Sequence, residues 1–269
     1  MVTQKEFIKR YGSWALITGA SSGIGRAIAL ELAQREVNIM AVGRSAERLD
    51  ALESEIQANY QVKFLKITSD LGTQEGIERV KEMARQDFVG LFVHAAGLES
   101  HGAFTDKPLQ EETALLQLNV QSTMQLTHHF AQKMTKAGRG GILLVSSLTG
   151  HMISPYFANY AASKAYVLNF GLSLRAELKQ KGVDVSVLSP GLTDTPMSAG
   201  IGLDIDFSKT PMKSMSAKEV AEIALEQFPE KATIIPGTAN RITSFIASRI
   251  APQFIGKNNE NMMRKAFRR

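Results

Sequence analysis

A hydroxyl, a phenol and an amine stand close together in the middle of this chain, as Ser147, Tyr160 and Lys164. If their segment is helical, Tyr160 and Lys164 lie one turn apart on the same face. A phenol with an ordinary pKa of about 10 exchanges protons poorly at neutral pH. A neighbouring ammonium favours the phenolate and lowers that value. Such a tyrosine can protonate a carbonyl oxygen receiving hydride, or take the proton from an alcohol losing one. Ser147 can hold the same oxygen by a hydrogen bond while charge builds on it. The same pair on an exposed helix would be an ordinary surface contact, so its meaning depends on the elements that position it.

Residues 143–145, Leu-Leu-Val, read as a buried strand that delivers Ser147 at its carboxyl end, where ligands sit in parallel α/β sheets. Residues 156–178 carry apolar side chains at helical spacing and read as the helix holding Tyr160 and Lys164. Far upstream, an apolar strand at 14–18 runs into Gly19-Ala20-Ser21-Ser22-Gly23-Ile24-Gly25 and then a helix at 26–35. Strand, glycine turn and helix in that order are the context of a dinucleotide fingerprint. Gly19 suits the tight turn, Gly23 a close backbone approach to a pyrophosphate, and Gly25 the packing of helix on strand. The phosphates would rest on the helix N-terminus, where free N–H groups and the dipole favour anions.

The alternation continues. Further strands are expected at 37–42, 62–67, 88–94, 142–145, 183–188 and 232–235, and helices at 46–58, 73–85, 108–136 and 217–228. Seven strands alternating with helices imply an α/β fold with a doubly wound, mostly parallel sheet. No Pro-, Gly- or Ser-rich linker divides the chain, so one domain over 1–237 and an extension over 238–269 are expected.

The chain has 269 residues, 44% apolar and 21% charged, which fits a folded globular protein. It has no cysteine, hence no disulfide framework and no thiolate metal site, and no metal is called for. Met1-Val2-Thr3-Gln4-Lys5-Glu6 lacks the apolar core of a signal peptide. No uncharged apolar run approaches the roughly 18 residues of a spanning helix. A cytoplasmic location is the expectation. The net charge of +5 sits in the tail: from Arg241 onward seven Lys and Arg face Glu260 alone. The body is close to neutral, which argues against nucleic acid as a partner.

In register, these pieces resemble the short-chain dehydrogenase/reductase family over roughly residues 10–237. Thr18, Gly19, Gly23 and Gly25 match its cofactor turn, and Asp70-Leu71 its adenine-contacting pair. Asn119 matches its helix asparagine, and Ser147, Tyr160 and Lys164 its catalytic serine and Tyr-x-x-x-Lys. Pro190, Gly191, Thr193 and Thr195 fall in the segment that meets the nicotinamide. The resemblance implies a Rossmann-type fold and hydride transfer between a carbonyl and an alcohol. Tyr160 would then be the acid/base. Lys164 would lower its pKa and hold the nicotinamide ribose, Ser147 would orient the substrate oxygen, and Asn119 would hold a relay water. Ser146 is the neighbouring alternative to Ser147, whose spacing to Tyr160 is the family's. One motif departs: the usual Asn-Asn-Ala-Gly is here His94-Ala95-Ala96-Gly97. A local change in sheet and ribose support is expected there, with the turn through Ala95 and Gly97 kept.

The second expected strand ends in Gly43-Arg44-Ser45, with no acid between Glu36 and Glu47 to bind the ribose diol of NAD. Arg44 is placed to pair with a 2′-phosphate, so NADP is expected. Arg48 reads as a solvated helix residue. The stretch 191–216 is long for a connection and rich in Met and Ile. It reads as a moving cover over an apolar pocket, or as short helices packed on the core. The substrate is expected to be a small, apolar carbonyl or alcohol. In the tail, Ile242, Phe245, Ile246, Arg249 and Ile250 keep helical spacing and Pro252 ends the run. The favoured reading is a helix packed on the sheet edge or a partner, followed by a solvated tail; the sharper one is a basic membrane-surface contact. The family pairs two long helices across a two-fold axis, so a homodimer or homotetramer is expected. A non-catalytic dinucleotide sensor on the same fold is the rival function.

Overall fold

The central strands are apolar at nearly every position, as a sheet covered on both faces requires. The computed structural model describes residues 4–85, 87–210, 212–250 and 252–267. Among these, seven parallel strands form the main sheet. They are β1 (Trp14–Thr18), β2 (Asn38–Gly43), β3 (Phe64–Thr68), β4 (Val89–His94), β5 (Gly140–Val145), β6 (Val183–Leu188) and, further on, β9 (Thr233–Ile234). Their order is β3-β2-β1-β4-β5-β6-β9, so the winding reverses between β1 and β4. A ligand crevice opens beyond the carboxyl ends of strands at such a reversal. Met1, Val2 and Thr3, and Arg268 and Arg269 of the basic tail, lie outside the described residues.

Successive strand side chains leave the sheet on opposite sides. Ala15, Ile17, Ile39, Ala41, Leu91 and Val93 pack with α2 (Gly23–Gln34), α3 (Ala46–Asn59) and α9 (Ala217–Gln227). Their neighbours Leu16, Met40, Phe92, Ile142 and Leu144 pack with α4 (Gln74–Met83), α6 (Thr123–Ala137) and α7 (Ala158–Leu178). The doubly wound α/β sheet expected from the alternation is therefore present.

Four details differ from the sequence expectation. The 108–136 stretch is α5 (Leu109–Leu116), a π-helical turn at Gln117–Ser122 and then α6, so the helix is widened where Asn119 sits. The helix expected from 156 begins at Ala158, because Tyr156 is left-handed at φ 67°. Within 191–216, β7 (Thr193–Asp194) pairs with β8 (Met215–Ser216) around α8 (Pro196–Asp204). Pro252 opens a helix instead of ending one: α10 (Thr238–Phe245) and a π-helical turn at Ile246–Ile250 are followed by α11 (Pro252–Ala266). Proline suits the first helical position, where no intrahelical N–H is needed.

No element is expected before β1, yet α1 (Gln4–Tyr11) lies there. Tyr11 is buried, its ring 5.4 Å from that of Phe228, and its hydroxyl donates to Asp184 at 2.8 Å. A Cβ on Gly90 would come within 1.0 Å of the Tyr11 carbonyl oxygen, so the end of α1 rests directly on β4. Gly90→Ala is expected to cost about 1–3 kcal/mol, the usual range for overpacking. The measurement is the midpoint of urea unfolding; an unchanged midpoint would mean that this contact does not hold α1 to the sheet.

Candidate active site

The turn after β1 forms a cradle. Gly19 and Gly23 have φ of 69° and 55°, which side chains avoid. A Cβ on Gly25 would lie 2.4 Å from the Gly19 carbonyl oxygen, and one on Gly19 would lie 2.8 Å from the Ala95 and Ala96 backbone. Ser22 stands at the N-cap of α2 without a side-chain capping bond, which leaves the first N–H groups of the helix free. A pocket of about 300 Å³ opens here, lined by Ser21, Ser22, Gly23, Arg26, Arg48, Ala51 and Pro196. A glycine cradle, an uncapped helix N-terminus and two arginines fit the phosphates of a dinucleotide. Ile24 packs at the margin of the core beneath the turn.

Across the reversal, the Thr18 hydroxyl accepts the N–H groups of Ala95 and Ala96, both at 3.2 Å, and meets His94 Nδ1 at 3.0 Å. His94 Nε2 faces Ser122 Oγ at 3.4 Å. His94 thus supplies side-chain support where the resemblance expects an asparagine. Burial, aided by the Lys164 charge, pushes its pKa down to about 3, so it is neutral. Asn119 braces the next step of the loop: its amide donates to the Leu98 carbonyl and its oxygen accepts the Leu98 N–H, both at 2.8 Å. It also donates to Ser163 Oγ at 3.0 Å. With both amide hydrogens engaged, its side chain keeps only acceptor capacity for a water. A Cβ on Gly97 would sit 3.2 Å from Asn119 Oδ1 and 3.3 Å from Lys164 Nζ, so the loop passes tightly over both.

At the end of β5 the two serines separate. Ser146 is buried and its hydroxyl donates to the Lys164 carbonyl at 2.7 Å, a bond that holds α7 to the strand. Ser147 Oγ accepts from Thr149 N at 3.2 Å and from Thr149 Oγ1 at 3.0 Å, so its own proton is free to be donated. Lys164 Nζ donates to the Val145 carbonyl at 3.1 Å and stands 5.7 Å from the centroid of the Tyr160 ring. Burial lowers the Lys164 pKa to about 8. Burial also raises Tyr160 to about 12; its hydrogen bond with Ser147 acts the other way, and the Glu99 charge adds to the rise. Lys164 is not among the groups acting on the phenol, so the acidification expected from it is not found, and the phenol is held protonated.

The other expected positions are distributed around the crevice. Thr195 caps α8 through a reciprocal pair with Ser198, and its methyl would lie 3.0 Å from a Cβ on Gly23. Thr193 donates to the Gly191 carbonyl at 3.1 Å, and the Pro190 carbonyl accepts Leu148 N at 2.8 Å. Asp70 accepts Gly72 N at 2.9 Å within its own turn. The Leu71 side chain is in the core, so only its backbone is available at the crevice. Arg44 is exposed beyond β2. Arg48, expected to be a solvated helix residue, is exposed on α3 and also borders the pocket beside Ser21 and Ser22. His151, a loop histidine, faces Ser189 Oγ at 2.9 Å.

Sequence reasoning missed a second polar cluster over the site. His101 Nδ1 meets Glu99 at 3.0 Å and its Nε2 meets Asp204, the last residue of α8, at 2.8 Å. The ring also lies 5.9 Å from that of Phe157 and 6.2 Å from that of Phe267. Ile205, Met263 and Ala266 form a small core with Ile201, Phe207 and Tyr156, so α11 straps the 191–216 segment down. Asp206 N donates to the Ala266 carbonyl at 2.8 Å. The only sequence signal for this strap was the apolar spacing hidden among basic residues. A cavity of about 610 Å³ lies inside the segment, walled by Leu192, Asp194, Thr195, Ser198, Phe207 and Ser214 among others.

A family model described as short chain dehydrogenase matches residues 13–206. The 7beta-hydroxysteroid dehydrogenase of Collinsella aerofaciens is 30% identical over 234 residues, 87% of this chain and 89% of that protein. A solved structure from work on 7beta-hydroxysteroid dehydrogenase stereoselectivity superposes with a TM-score of 0.84 at 26% identity, covering 94% of this chain and 99% of that one. A short-chain dehydrogenase from Sphingobium yanoikuyae in complex with NADPH superposes with a TM-score of 0.80 at 29% identity, covering 88% of this chain and 93% of that one.

The His101 cluster is expected to make the 191–216 segment respond to pH. The Glu99 hydrogen bond raises the His101 pKa; burial opposes this, Asp204 adds to it, and the Lys107 charge works against it. A raised folded-state pKa means that the ion pairs contribute fully below histidine's ordinary value of about 6.5 and are lost as pH rises through the raised value. Amide exchange in α8, corrected for intrinsic rate, should therefore be slow at low pH and accelerate across that window. His101→Gln should abolish the pH step. A step that persists in the variant would place its origin elsewhere.

Proposed function

The chain belongs to the short-chain dehydrogenase family and is an oxidoreductase, and we propose that it is an NADP(H)-dependent enzyme interconverting an apolar carbonyl and its alcohol, with Tyr160 as acid/base. The observation that carries this reading is the meeting of Ser147, Tyr160 and Lys164 beyond β5, with the phenol held protonated. A protonated phenol beside a hydroxyl with a free proton is a donor pair for a carbonyl oxygen becoming alkoxide. In the reverse direction the Ser147 bond is what favours the phenolate. When bound, the nicotinamide cofactor supplies or accepts the hydride.

The chain's own residues have the remaining tasks. The backbone of Gly19, Ser21, Ser22, Gly23, Ile24 and Gly25 would hold the pyrophosphate, and Asp70, Leu71, Ala95 and Gly97 would flank the adenosine and ribose. Pro190, Gly191, Thr193 and Thr195 would face the nicotinamide. Lys164 would bind its ribose and keep a positive charge near Tyr160. Asn119 would hold the 97–98 loop and offer one acceptor to a relay water. Positional support for an apolar substrate comes from Phe157, Ile201 and Phe207 around the cover, and from the steroid named for the relative. Leu109, Leu116 and Met124 are exposed along α5 and α6 and support a homodimer or homotetramer. The lack of cysteine fits a reducing cytoplasm. A sensor would have no need of this proton machinery, so that reading is not favoured.

Tyr160→Phe removes only the phenolic hydroxyl, the group proposed as acid/base. It should abolish turnover across a panel of bulky ketones while NADPH fluorescence titration still reports binding. Comparable turnover in the variant, or NADPH binding without turnover in wild type across a broad panel, would sink the assignment.

Cofactor choice is tested separately. Arg44 and Arg48 are the cations beside the expected 2′-phosphate, and charge-assisted bonds contribute roughly 1.5–3 kcal/mol. Loss of either should therefore raise the KM for NADPH about tenfold to a hundredfold and leave NADH nearly unchanged. Salt should weaken the preference in the same direction. If both variants weaken NADH and NADPH alike, the NADP assignment is wrong.

A further inference from the structure

The helix that follows β9 has its polarity inverted. α10 and the π-helical turn Ile246–Ile250 bury a narrow stripe made of Ser244 and Ala247. The side turned to solvent carries Ile242, Phe245 and Ile250, with Phe254 just beyond, each more than half exposed. A helix on a globular surface turns its large apolar residues inward. An outward apolar face of this kind marks a surface that meets something.

Charge decides what it meets. No Asp or Glu occurs between Glu230 and Glu260, whereas Lys231, Arg241, Arg249 and Lys257 all do, and all four are exposed. A two-fold contact between copies sets one patch against itself, which here would oppose cation to cation. An anionic lipid surface meets both features at once: apolar side chains enter the headgroup boundary while arginine and lysine reach the phosphates. Among the described residues no helix is long and apolar enough to cross a membrane, so the contact is with the surface.

We propose that α10 and the turn after it dock the protein on an anionic bilayer through Ile242, Phe245, Ile250 and Phe254, flanked by Arg241, Arg249 and Lys257. The next helix, which carries Phe254, is bonded to the segment before α7. Asn259 in α11 donates to the Ile153 carbonyl at 3.1 Å, and Arg264 donates to the Tyr156 hydroxyl at 3.2 Å. Both acceptors lie in the segment that leads into α7 and Tyr160. This inference does not rest on the cofactor or substrate assigned above.

The test is co-sedimentation of the full chain with phosphatidylcholine vesicles, with and without an equimolar share of phosphatidylglycerol. Wild type should sediment with the anionic vesicles only and be released by salt. Each basic residue near such a surface contributes roughly fivefold to partitioning. The double variant Arg241→Gln/Arg249→Gln should therefore bind about twenty-five-fold more weakly. Phe245→Ser/Ile250→Ser should also lose binding, and both variants should reduce a water-soluble ketone as wild type does without vesicles. The proposal is overturned by no sedimentation of wild type, by equal sedimentation with neutral vesicles, or by a charge variant that binds normally. It is likewise overturned if, without lipid, the apolar variant shows a smaller mass by light scattering, which would make the face a contact between copies. Failure of wild type to reduce any ketone would bear on the enzymatic reading and leave the vesicle result standing.

Discussion

One hydroxyl proton fixes how the two halves of the sheet meet. Thr18 Oγ1 accepts two backbone N–H groups from the strand across the reversal. Its own hydrogen is then left for His94 Nδ1. That assignment puts the ring hydrogen on Nε2, which faces Ser122 Oγ, and Ser122 in turn donates to the Leu118 carbonyl at 2.6 Å. Each donor in this buried chain has one acceptor, and a charged imidazole would break the sequence of bonds at Thr18. Burial holds His94 neutral, so the chain is stable across the physiological range. The expected loss at the asparagine position is thereby made good by a different side chain with the same demand for one acceptor and one donor.

The reacting corner inherits its geometry from this junction. His94 ends β4, and the loop it launches is pinned one step later by the paired bonds of Asn119 to Leu98. Gly97 lies between, with no room for a side chain beside Lys164 Nζ. The same burial that fixes these groups acts oppositely on the two proposed to handle protons. It makes the Lys164 ammonium easier to discharge and the Tyr160 phenol harder to ionise. Ser147 is the counterweight. Having accepted two bonds from Thr149, it has a proton left to stabilise a phenolate. Acidity at Tyr160 is thus set by a competition between burial and one hydroxyl, with Glu99 acting on the side of burial.

Much of the fold was legible because it depends on local rules. Strands buried on both faces must be apolar throughout, and Gly19, Gly23 and Gly25 mark a turn with room for no side chain. The positions of Ser147, Tyr160 and Lys164 followed from one strand, one turn and one helix, and those elements bring them together. Departures arise where distant residues decide. The left-handed Tyr156 is held by Gly102, whose N–H donates to its carbonyl at 2.8 Å, and no local pattern shows that partner. α1 is short and polar except for Phe7, Ile8 and Tyr11, and it exists because Gly90 leaves a seat for it. Arg48 is solvent-facing, as its helix alone suggests, but only the fold brings Ser21 and Ser22 beside it.

The tail shows why composition misleads most where two roles share one segment. Its basic residues are spread through residues 241–269, which read as a packed helix followed by a solvated tail. Its apolar residues, however, divide into two sets. Met263 and Ala266 of α11 find partners in Ile205 and the aromatic residues of the cover, and so complete a core that the 191–216 segment could not close alone. Ile242, Phe245 and Ile250 of the preceding helical segment stay more than half exposed, because Ser244 and Ala247 already fill the face that packs. Both sets are apolar residues spaced within helices, so only the three-dimensional pairing separates a strap from a docking face. α11 thus ties the segment before Tyr160 to the 191–216 segment, one end of a strap whose other side continues into the exposed helix.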